Sequence, residues 1–525
     1  MNKMVKFTIN SILGGQSPLM YQAAENQFLT SIGIDPDIAV DFGSSKVKTG
    51  GMITPTQYST FSGANISGAP MWIITNPKDT NVYVYASDGK FVSYANTFGS
   101  ETLIGTPTSG AGNGGAYYNN YIYLFTPTNV SRYGPLSGTP SISNTFWTAT
   151  LGKTATTNTT YPTYGSVSYP NHPAHVHVDN KLYFGDLVNG QGVIHYIKTK
   201  KTTDEGDTDD GSAYQALLLP FGYMPTDIES YGNDLVISAI QTNDTAIKQG
   251  TAALFFWDTT SPSFYRQVPI SEPIIGALLN VNGNLYVFSG NRNNGVSVGV
   301  YAGGYTIQPL DFFEEGNAPF AGAVDYYDSR VIWGGSTTYP VNSASIFARG
   351  YKHPRLPSGA INNIMKTGAA SSSPTVSAVR VVQQASGIVP RVISGWRSGS
   401  TYGLDKLDAA ATLSAIFRSQ IFNISQPFKI RKMTISLSDA VVSNVSITPK
   451  FYVDNESTTY TLAAINNTNY SGNAGNITYR EMEMTSNGGG PIGGEQNFYL
   501  ELAWGGTVHR SIILPIDIWV EILPA

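Results

Sequence analysis

The chain repeats one short pattern, a polar turn led by Asn, Asp or Gly followed by a run of β-branched and aromatic residues. Clear copies read "YYNNYIYLF", "HVDNKLYFG", "SYGNDLVIS", "NVNGNLYVF" and "DYYDSRVIW". A turn of this composition next to such a run is typical of a β-hairpin. The pattern therefore predicts a chain built from repeated hairpins.

The copies recur at a nearly constant spacing. The strands that follow the five turns are predicted to start at Tyr121, Lys181, Asp234, Asn284 and Arg330, which lie 60, 53, 50 and 46 residues apart. A period of about 50 residues is in the range of propeller blades. Two weaker copies flank the series, with strands predicted to start near Asn81 and Arg391, and they bring the number of repeats to seven.

Each repeat has a second half in which an aromatic strand meets a Gly or Asp turn, as in "NVSRYGPL", "GVIHYIKT" and "GVYAGGYTIQPL". Two hairpins per repeat make a four-stranded antiparallel sheet, and radial stacking buries the faces that one such sheet leaves open. At 525 residues the chain is too long for one ordinary core, whereas a repeat architecture grows by adding units. We therefore predict an all-β fold in which residues 41–408 form a seven-bladed β-propeller.

The segments on either side of the repeats differ from them. Residues 1–40 are turn-rich and non-periodic, which indicates an extended N-terminal arm on the propeller or on a neighbouring subunit; the alternative is a loose tail. Residues 409–525 contain alternating apolar runs such as "VSITPKFYVD", "NFYLELAW" and "ILPIDIWVEI", which predict a C-terminal β-sandwich. Pro449 and Pro515 indicate edges or bulges in it. The stretch Ala409–Ala411 is either one helical turn or a linker.

Composition excludes several classes of protein. The net charge of −5 argues against a general nucleic-acid binder, and the basic "KTKK" with Lys198, Lys200 and Lys201 is interpreted as a solvated loop. Because the chain has no cysteine, it has no disulfide, thiolate metal site or cysteine nucleophile. We expect no secretory signal and no membrane insertion, since no run of about 18 apolar residues occurs.

Two clusters raise the question of metal binding, and the sequence leaves both open. In "NHPAHVHVDN", His175 and His177 would share one face of a strand with His172 nearby, a set of imidazoles that suits zinc, although such pairs are common on solvated faces. The acidic stretch 204–210 in "TTDEGDTDDG" offers oxygen ligands for calcium, but it fails the EF-hand spacing and is better interpreted as a solvated hairpin loop.

Catalytic motifs are weak. Propeller glycosidases need two carboxylates facing a substrate, and Asp311, Glu314 and Glu315 in "LDFFEEG" are adjacent in sequence with no predicted place at a channel mouth. Tyrosines that could form a sugar-stacking surface recur next to the turns, where blade packing is the favoured interpretation; they are Tyr117, Tyr118, Tyr121, Tyr123, Tyr326 and Tyr327. We assign no catalytic, cofactor-binding or metal-binding residue, and we expect no cofactor and no enzymatic activity.

The order of parts resembles a known class of protein. A short leading segment, "FTINSILGGQSPLMYQAAENQFLTSIGIDPD", precedes the degenerate blades, and "FRSQIFNISQPFKIRKMTISLS" opens the terminal sandwich. This looks like virion proteins of tailed bacteriophages, with an architecture similar to the propeller-containing nozzle or hub proteins of short-tailed phages. The resemblance implies a structural component of the virion, assembled in the host cytoplasm as a ring of identical subunits, often six, around the DNA exit channel.

Further expectations follow from the resemblance. It implies other virion tail proteins as partners and the non-specific passage of DNA, which is compatible with a non-basic lumen because phosphate affinity comes mainly from Lys and Arg. The alternative function is a carbohydrate-binding or glycan-cleaving propeller with the sandwich as an accessory module. That alternative predicts converging carboxylates at a polar channel mouth and an exposed aromatic platform.

Overall fold

The structure is a computed structural model that describes most of the chain. The described residues are 3–17, 23–24, 26–37, 41–42, 45–46, 51–56, 58–61, 65–76, 81–95, 98–107, 112–127, 129–144, 146–147, 163–164, 167–168, 172–198, 213–241, 252–290, 295–313, 318–337, 343–350, 359–367, 374–382, 391–407, 415–438, 444–466, 479–483, 491–506 and 511–524.

These residues contain seven four-stranded antiparallel sheets, here called blades 1 to 7 in chain order. Blade 1 is Pro70–Thr75, Val82–Ala86, Phe91–Tyr94 and Glu101–Gly105; blade 2 is Gly114–Tyr118, Tyr121–Phe125, Val130–Gly134 and Ser141–Ser143; blade 3 is Ala174–Val176, Leu182–Val188, Gln191–Ile197 and Ala213–Phe221. Blade 4 is Tyr223–Tyr231, Asp234–Gln241, Ala252–Trp257 and Arg266–Ile270; blade 5 is Ile274–Val281, Asn284–Gly290, Val296–Gly303 and Thr306–Phe313. Blade 6 is Val324–Tyr327, Arg330–Thr337, Ser343–Arg349 and Ile361–Thr367; blade 7 is Pro374–Val382, Arg391–Ser398, Thr401–Leu407 and Tyr58–Thr60.

The blades form a closed ring. The first strand of each blade contacts the first strand of the next, and blade 7 contacts blade 1 in the same way. The N-terminal strand Tyr58–Thr60 completes blade 7 by pairing with Thr401–Leu407, and Thr60 Oγ1 donates a hydrogen bond of 2.7 Å to Asp405 Oδ1. The ring is thus fastened by strands that lie far apart in sequence, and the predicted propeller fold is confirmed.

The repeated turns join the first and second strands of the blades. Both central residues of the turns at Asn119–Asn120, Asn282–Gly283 and Asp328–Ser329 have positive φ, as a two-residue type I′ hairpin requires. Asn, Asp and Gly tolerate that conformation best, which explains why they recur. The second strands begin at the predicted residues or one residue later: Val82, Tyr121, Leu182, Asp234, Asn284, Arg330 and Arg391.

The sandwich contains two sheets around one apolar core. The first sheet comprises Lys3–Ile9, Met52–Ile53, Phe428–Leu437, Tyr479–Glu483, Gly493–Gly494 and Ile512–Ile522. The second comprises Thr30–Ile32, Ala415–Arg418, Phe422–Asn423, Val445–Val453, Thr458–Thr461, Ile465–Asn466 and Asn497–Gly506. In Val445–Val453 the alternate residues face the core and are buried, as the sequence predicts. Two further hairpins, Asp41–Phe42 with Ser45–Lys46 and Thr163–Tyr164 with Val167–Ser168, lie outside both domains' sheets.

The N-terminal segment differs from the extended arm expected from the sequence. Lys3–Ile9 pairs along its whole length with Ile512–Ile522, and Thr30–Ile32 pairs with Ala415–Arg418, so the segment supplies an outer strand to each sheet of the sandwich. Ile12 and Phe28 are fully buried in the same core. The reason is energetic, because these apolar side chains gain more by entering the sandwich core than by staying in water. The propeller is therefore inserted within the sandwich.

Pro449 and Pro515, which the sequence analysis interprets as marks of edges or bulges, lie where the strand pairing of the sandwich is irregular. Pro515 lies where the pairing of Ile512–Ile522 with Phe428–Leu437 shifts register between Thr434 and Ser436. Pro449 lies opposite the break between two short edge strands, where its carbonyl accepts a hydrogen bond from Leu462 N. Proline has no backbone N–H to donate, and at both positions the irregular pairing means that the sheet does not need one.

The sandwich is fixed to the outer edge of blade 6. Ile34 N donates to Asn363 O at 2.9 Å, and Gly33 N donates to the side-chain oxygen of Asn363. Arg330, only 2% exposed, donates from Nη1 to Asp35 Oδ1 at 3.0 Å, and Asp37 lies 3.9 Å from the same nitrogen. Because these groups are buried between the two domains, the domains are held in one fixed arrangement.

Candidate functional site: the central cavity

The middle of the propeller ring is occupied by a short turn. A 3-10 helix, Ala321–Ala323, precedes the first strand of blade 6 and contacts the inner strands of blades 1, 5 and 7. The approach is so close that a Cβ atom at Gly276 would overlap the carbonyl oxygen of Pro319, so only glycine fits there. Phe320 and Ala323 join the apolar core between the blades.

Beside this turn lies a cavity of about 670 Å³, here called the central cavity, which the inner strands of all seven blades line. Its apolar wall includes Trp72, Ile74 and Leu278, with Ala321 and Gly322 of the central turn. Its polar wall includes Asn76, His175, Asp227, Glu229 and Arg380. Cavities of this size in which a few polar groups converge beside apolar side chains are the usual sites of small-molecule binding.

The polar wall centres on a contact between blades 3 and 4. His175 Nε2 lies 2.7 Å from Ser230 Oγ and 3.4 Å from Glu229 Oε1. Ser230 and Glu229 are on the first strand of blade 4, directly before the turn that leads to the second strand. The side chains of His175 and Glu229 remain 23% and 18% exposed, because they face the cavity. Both groups approach the same imidazole nitrogen, so the arrangement differs from a Ser-His-acid catalytic triad, in which the acid binds the other nitrogen.

Acidic side chains tie neighbouring blades together around the cavity. Asp227 accepts hydrogen bonds from its own neighbour Ile228 N and from Leu278 N of blade 5. Asp325 repeats this arrangement from blade 6, accepting from Tyr326 N and from Val381 N of blade 7. Carboxylates with two backbone donors each are strongly positioned. These acids therefore have a structural role as links between blades.

Burial shifts the protonation of three groups in the polar wall. Desolvation raises the pKa of Asp227 well above its ordinary value. Desolvation also raises the pKa of Glu229 to about 7, opposed by the backbone donors Ser230 N and Asn280 N and by the positive charge of Arg380. For His175, desolvation followed by repulsion from His177 lowers the pKa to about 4. At neutral pH the imidazole is therefore uncharged and Glu229 is partly protonated.

The three histidines singled out in the sequence do not converge. Fully buried His172 places Nδ1 2.8 Å from Gly185 O, His175 faces Ser230, and His177 lies 3.1 Å from Asp179. Within the part of the chain that the structure describes, no group of three or more His, Asp or Glu is placed to hold a metal ion. The acidic stretch 204–210 lies outside the described residues.

Among the other predicted candidates that the structure describes, Tyr117 is the one that lines the cavity. Asp311 forms an ion pair with Arg349, while Glu314 and Glu315 lie outside the described residues, as do Lys200 and Lys201. Lys198 is exposed. Among the tyrosines, Tyr118, Tyr121, Tyr123 and Tyr327 are buried, Tyr117 is half-buried and lines the cavity, and Tyr326 is exposed. Blade packing thus accounts for most of them.

Sequence reasoning singled out His175 but missed the charged residues of the polar wall. Asp227, Glu229 and Ser230 lie in "PTDIESYGN", on the strand before a hairpin turn, and Asp325 holds the equivalent place in "VDYYDSR". The available signal was an acid on the first strand of a repeat, three to five residues before the turn. Only the closure of the ring brings Arg380 of blade 7 to the same cavity.

No family model and no curated protein matches the chain in sequence. Among solved structures, the chain is similar to the Dos1 propeller, with a TM-score of 0.41 and 12% identity over 67% of this chain and 95% of that one. It is also similar to the β-propeller domain of Cps50 (Swd1) from Myceliophteria thermophila, with a TM-score of 0.40 and 12% identity over 67% of this chain and 99% of that one. Structural similarity at this level gives no information about function, and the propeller is identified from the strand pairing and the contacts between blades.

Among the described residues, no helix has the length and apolar character needed to cross a bilayer.

Proposed function

We propose that the chain is a structural virion protein of a tailed bacteriophage, a nozzle- or hub-type ring component that lines or caps the DNA exit channel. The order of a leading segment, degenerate blades and a terminal sandwich supports this proposal. Partners in the ring are further copies of the chain and other tail proteins. The protein acts by its shape, without catalysis.

The observation that carries the proposal is the rigid connection between the two domains. A ring subunit must present the same surfaces at a fixed angle in every copy, because a closed symmetric ring repeats one interface. Here the sandwich contains strands from both ends of the chain, and the buried Arg330–Asp35 pair fixes it to blade 6. A two-domain body of this kind suits repeated assembly.

The central cavity constrains where DNA would pass. Ala321–Ala323 occupies the middle of the ring of blades, and a cavity of about 670 Å³ is too small to hold a segment of duplex that spans the domain. Under the proposal, the DNA channel is therefore enclosed between several copies of the chain. The exposed outer strands of the blades and the sandwich are the surfaces that face neighbouring subunits.

The placement of the acids favours a non-catalytic role. Hydrolysis of a glycoside needs one carboxylic acid that protonates the leaving group and one carboxylate that faces the sugar from the other side. Asp227 instead directs both oxygens at backbone N–H groups, and Asp311 is paired with Arg349. These carboxylates hold the blades in place.

The proposal is tested by the mass of the purified full-length chain, measured by sedimentation velocity and native mass spectrometry. We expect a closed oligomer with one discrete stoichiometry. A chain that stays monomeric at all concentrations, and that also fails to assemble with other tail proteins of the same particle, would overturn it.

One surface favours a second function, carbohydrate binding. Tyr265 and Tyr305 are 50% and 72% exposed at the edges of blades 4 and 5, and Arg266 lies over the Tyr265 ring and donates to Tyr301. The Tyr265 hydroxyl donates to Asp234 at 2.5 Å. Exposed tyrosines beside hydrogen-bonding groups resemble the platforms on which sugar rings stack.

This second function has its own test. A glycan array should show binding by the native chain that is lost in Tyr305→Ser, while Tyr326→Ser, an exposed tyrosine in blade 6, leaves binding unchanged. An array without signal for the native chain would remove carbohydrate binding and leave the structural role as it stands.

A further inference from the structure

The central cavity combines an apolar wall with an excess of acidic groups. Its lining contains two acids, Asp227 and Glu229 of blade 4, and one strong base, Arg380 of blade 7; Asp325 lies beside Arg380. Arg380 Nε lies 3.8 Å from Asp325 Oδ2, so this ion pair compensates both of its charges. Among the described residues, neither Asp227 nor Glu229 has a Lys or Arg side chain at ion-pair distance, and the basic group nearest to Glu229 is the His175 imidazole at 3.4 Å.

Of these two acids, Glu229 is the one that can meet a ligand. Asp227 is 7% exposed, and both of its oxygens accept hydrogen bonds from backbone N–H groups. Glu229 also accepts a hydrogen bond, from Ser230 N to Oε1 at 2.8 Å, but 18% of its side chain stays exposed toward the cavity. The groups that face Glu229 are the neutral imidazole of His175 from blade 3, the backbone of Asn280 from blade 5 and the more distant Arg380 from blade 7. None of them neutralises a carboxylate charge at contact distance.

The apolar wall lies within the same cavity. Trp72 is 8% exposed, and its indole N–H has no hydrogen-bond partner among the described residues. Ile74, Leu278 and the central turn complete the apolar lining. A ligand with an apolar body gains by leaving water for this wall, and the face of an indole also attracts organic cations.

We propose that the central cavity binds a small organic cation, a protonated amine with an apolar body, whose ammonium group pairs with the Glu229 carboxylate. The ammonium supplies the countercharge that the protein lacks there, with the His175 imidazole and Ser230 hydroxyl beside it. The apolar body lies against Trp72, Ile74 and Leu278. This site is independent of the proposed ring assembly, because it lies inside one propeller.

Three probes with the same six-carbon body test the charge preference: hexylammonium, hexan-1-ol and hexanoate. Isothermal titration calorimetry on the full-length chain at pH 8 should give an affinity for hexylammonium about tenfold or more above that for hexanol, with hexanoate weakest. Equal affinities for all three probes, a preference for hexanoate, or no binding of any probe would overturn the proposal.

Two substitutions with opposite expected signs locate the site. Glu229→Gln keeps the shape of the side chain and should reduce hexylammonium binding to the level of hexanol, while the control Glu272→Gln, an acid outside the cavity lining, changes nothing. Arg380→Gln removes a nearby positive charge and should tighten hexylammonium binding. Because Arg380 is 47% exposed, this variant is expected to fold. Unchanged binding in both cavity variants would place the amine elsewhere and refute the site.

Proton release gives a separate readout. With its pKa raised to about 7, Glu229 is mostly protonated at pH 6, and pairing with an ammonium requires its ionised form. Titrations at pH 6 in buffers of different ionisation enthalpy should show release of about one proton per hexylammonium bound, and none in Glu229→Gln. Binding at pH 6 without proton release in the native chain would contradict the assigned pair.

Discussion

Replacing His175 or Glu229 should change how the stability of the propeller depends on pH, and the two changes should have opposite signs. The unfolded chain titrates these groups at their ordinary pKa values of 6.5 and 4.5, whereas the folded chain titrates them at about 4 and about 7. Each group therefore binds a different number of protons in the two states over a defined pH range, and stability follows that difference.

The sign is set by which state holds the proton. Between pH 4 and 6.5 the unfolded state protonates His175 and the folded state does not, so this residue makes stability rise with pH. Between pH 4.5 and 7 the folded state keeps the Glu229 proton and the unfolded state loses it, so this residue makes stability fall with pH. Each difference corresponds to about 3 kcal/mol, because one pH unit is worth about 1.4 kcal/mol.

In the native chain the two contributions nearly cancel between pH 4.5 and 6.5, and single substitutions separate them. Relative to the native chain, Glu229→Gln should gain about 3 kcal/mol as the pH rises from 4.5 to 7, because it lacks the cost of ionising a desolvated acid. His175→Gln should lose about the same amount between pH 4 and 6.5. Taking differences between variants removes the contributions of all other titrating groups.

The assay is urea unfolding of the full-length chain at half-unit pH steps, followed by tryptophan fluorescence and by circular dichroism. Glu272→Gln is the control, since Glu272 lies outside the cavity lining, and its difference from the native chain should not vary with pH. Difference curves for the two cavity variants that are both flat within about 1 kcal/mol, or that share one sign, would refute the assigned environments of His175 and Glu229.

Three further predictions concern the fold. Arg330→Met should destabilise the chain by about 3–5 kcal/mol in calorimetric unfolding, because it leaves the buried acid Asp35 unpaired. Adding Asp35→Asn to this variant should recover part of the lost stability. No loss of stability in Arg330→Met would contradict the buried pair. Gly276→Ala should lower the free energy of unfolding by about 1–3 kcal/mol, because its Cβ would overlap Pro319. Gly505→Ala, where a Cβ meets nothing within 4 Å, should not change stability measurably. Equal effects of the two substitutions would contradict the close approach of the central turn. Deleting residues 1–32 should expose Ile512–Ile522 to faster hydrogen exchange while blades 2 to 5 keep their protection, and unchanged exchange in that strand would contradict the N-terminal pairing.

The hairpins can be predicted from the sequence because each one is determined by its own turn and strand residues, which are adjacent in the chain. The turn at Asn282–Gly283 needs positive φ at two residues, and the strand starting at Asn284 is a short run of apolar and aromatic residues, so both can be located without knowledge of the rest of the chain. The same reasoning locates the strand starting at Asp234 and the buried face of Val445–Val453.

Pairing between strands that lie far apart in the chain cannot be predicted in the same way. Tyr58–Thr60 closes a blade whose other strands lie more than 300 residues later, and no local pattern names that partner. Val5, Phe7 and Ile9 alternate in Lys3–Ile9, but a strand that short is ambiguous until the facing strand is known. For this reason the N-terminal segment was expected to be an arm and not part of the sandwich.

The candidate site depends both on the local strand pattern and on the closure of the ring. Asp227 and Glu229 lie on the same face of one strand, on either side of Ile228, and their sequence does not tell whether that face is turned to solvent or to the axis of the ring. His175, from blade 3, and Arg380, from blade 7, reach the same cavity only because the ring closes. The pKa shifts of His175, Asp227 and Glu229 follow from that enclosure, which sequence spacing does not measure.

The proposed role in a virion ring is best tested by cryo-electron microscopy of assembled particles that contain the chain. We predict identical copies in a closed ring, with an axial channel wide enough for duplex DNA between the subunits and with the Ala321–Ala323 turn still inside each propeller. Particles in which the chain is present as isolated copies, with no contacts between them and no shared channel, would contradict the proposed function.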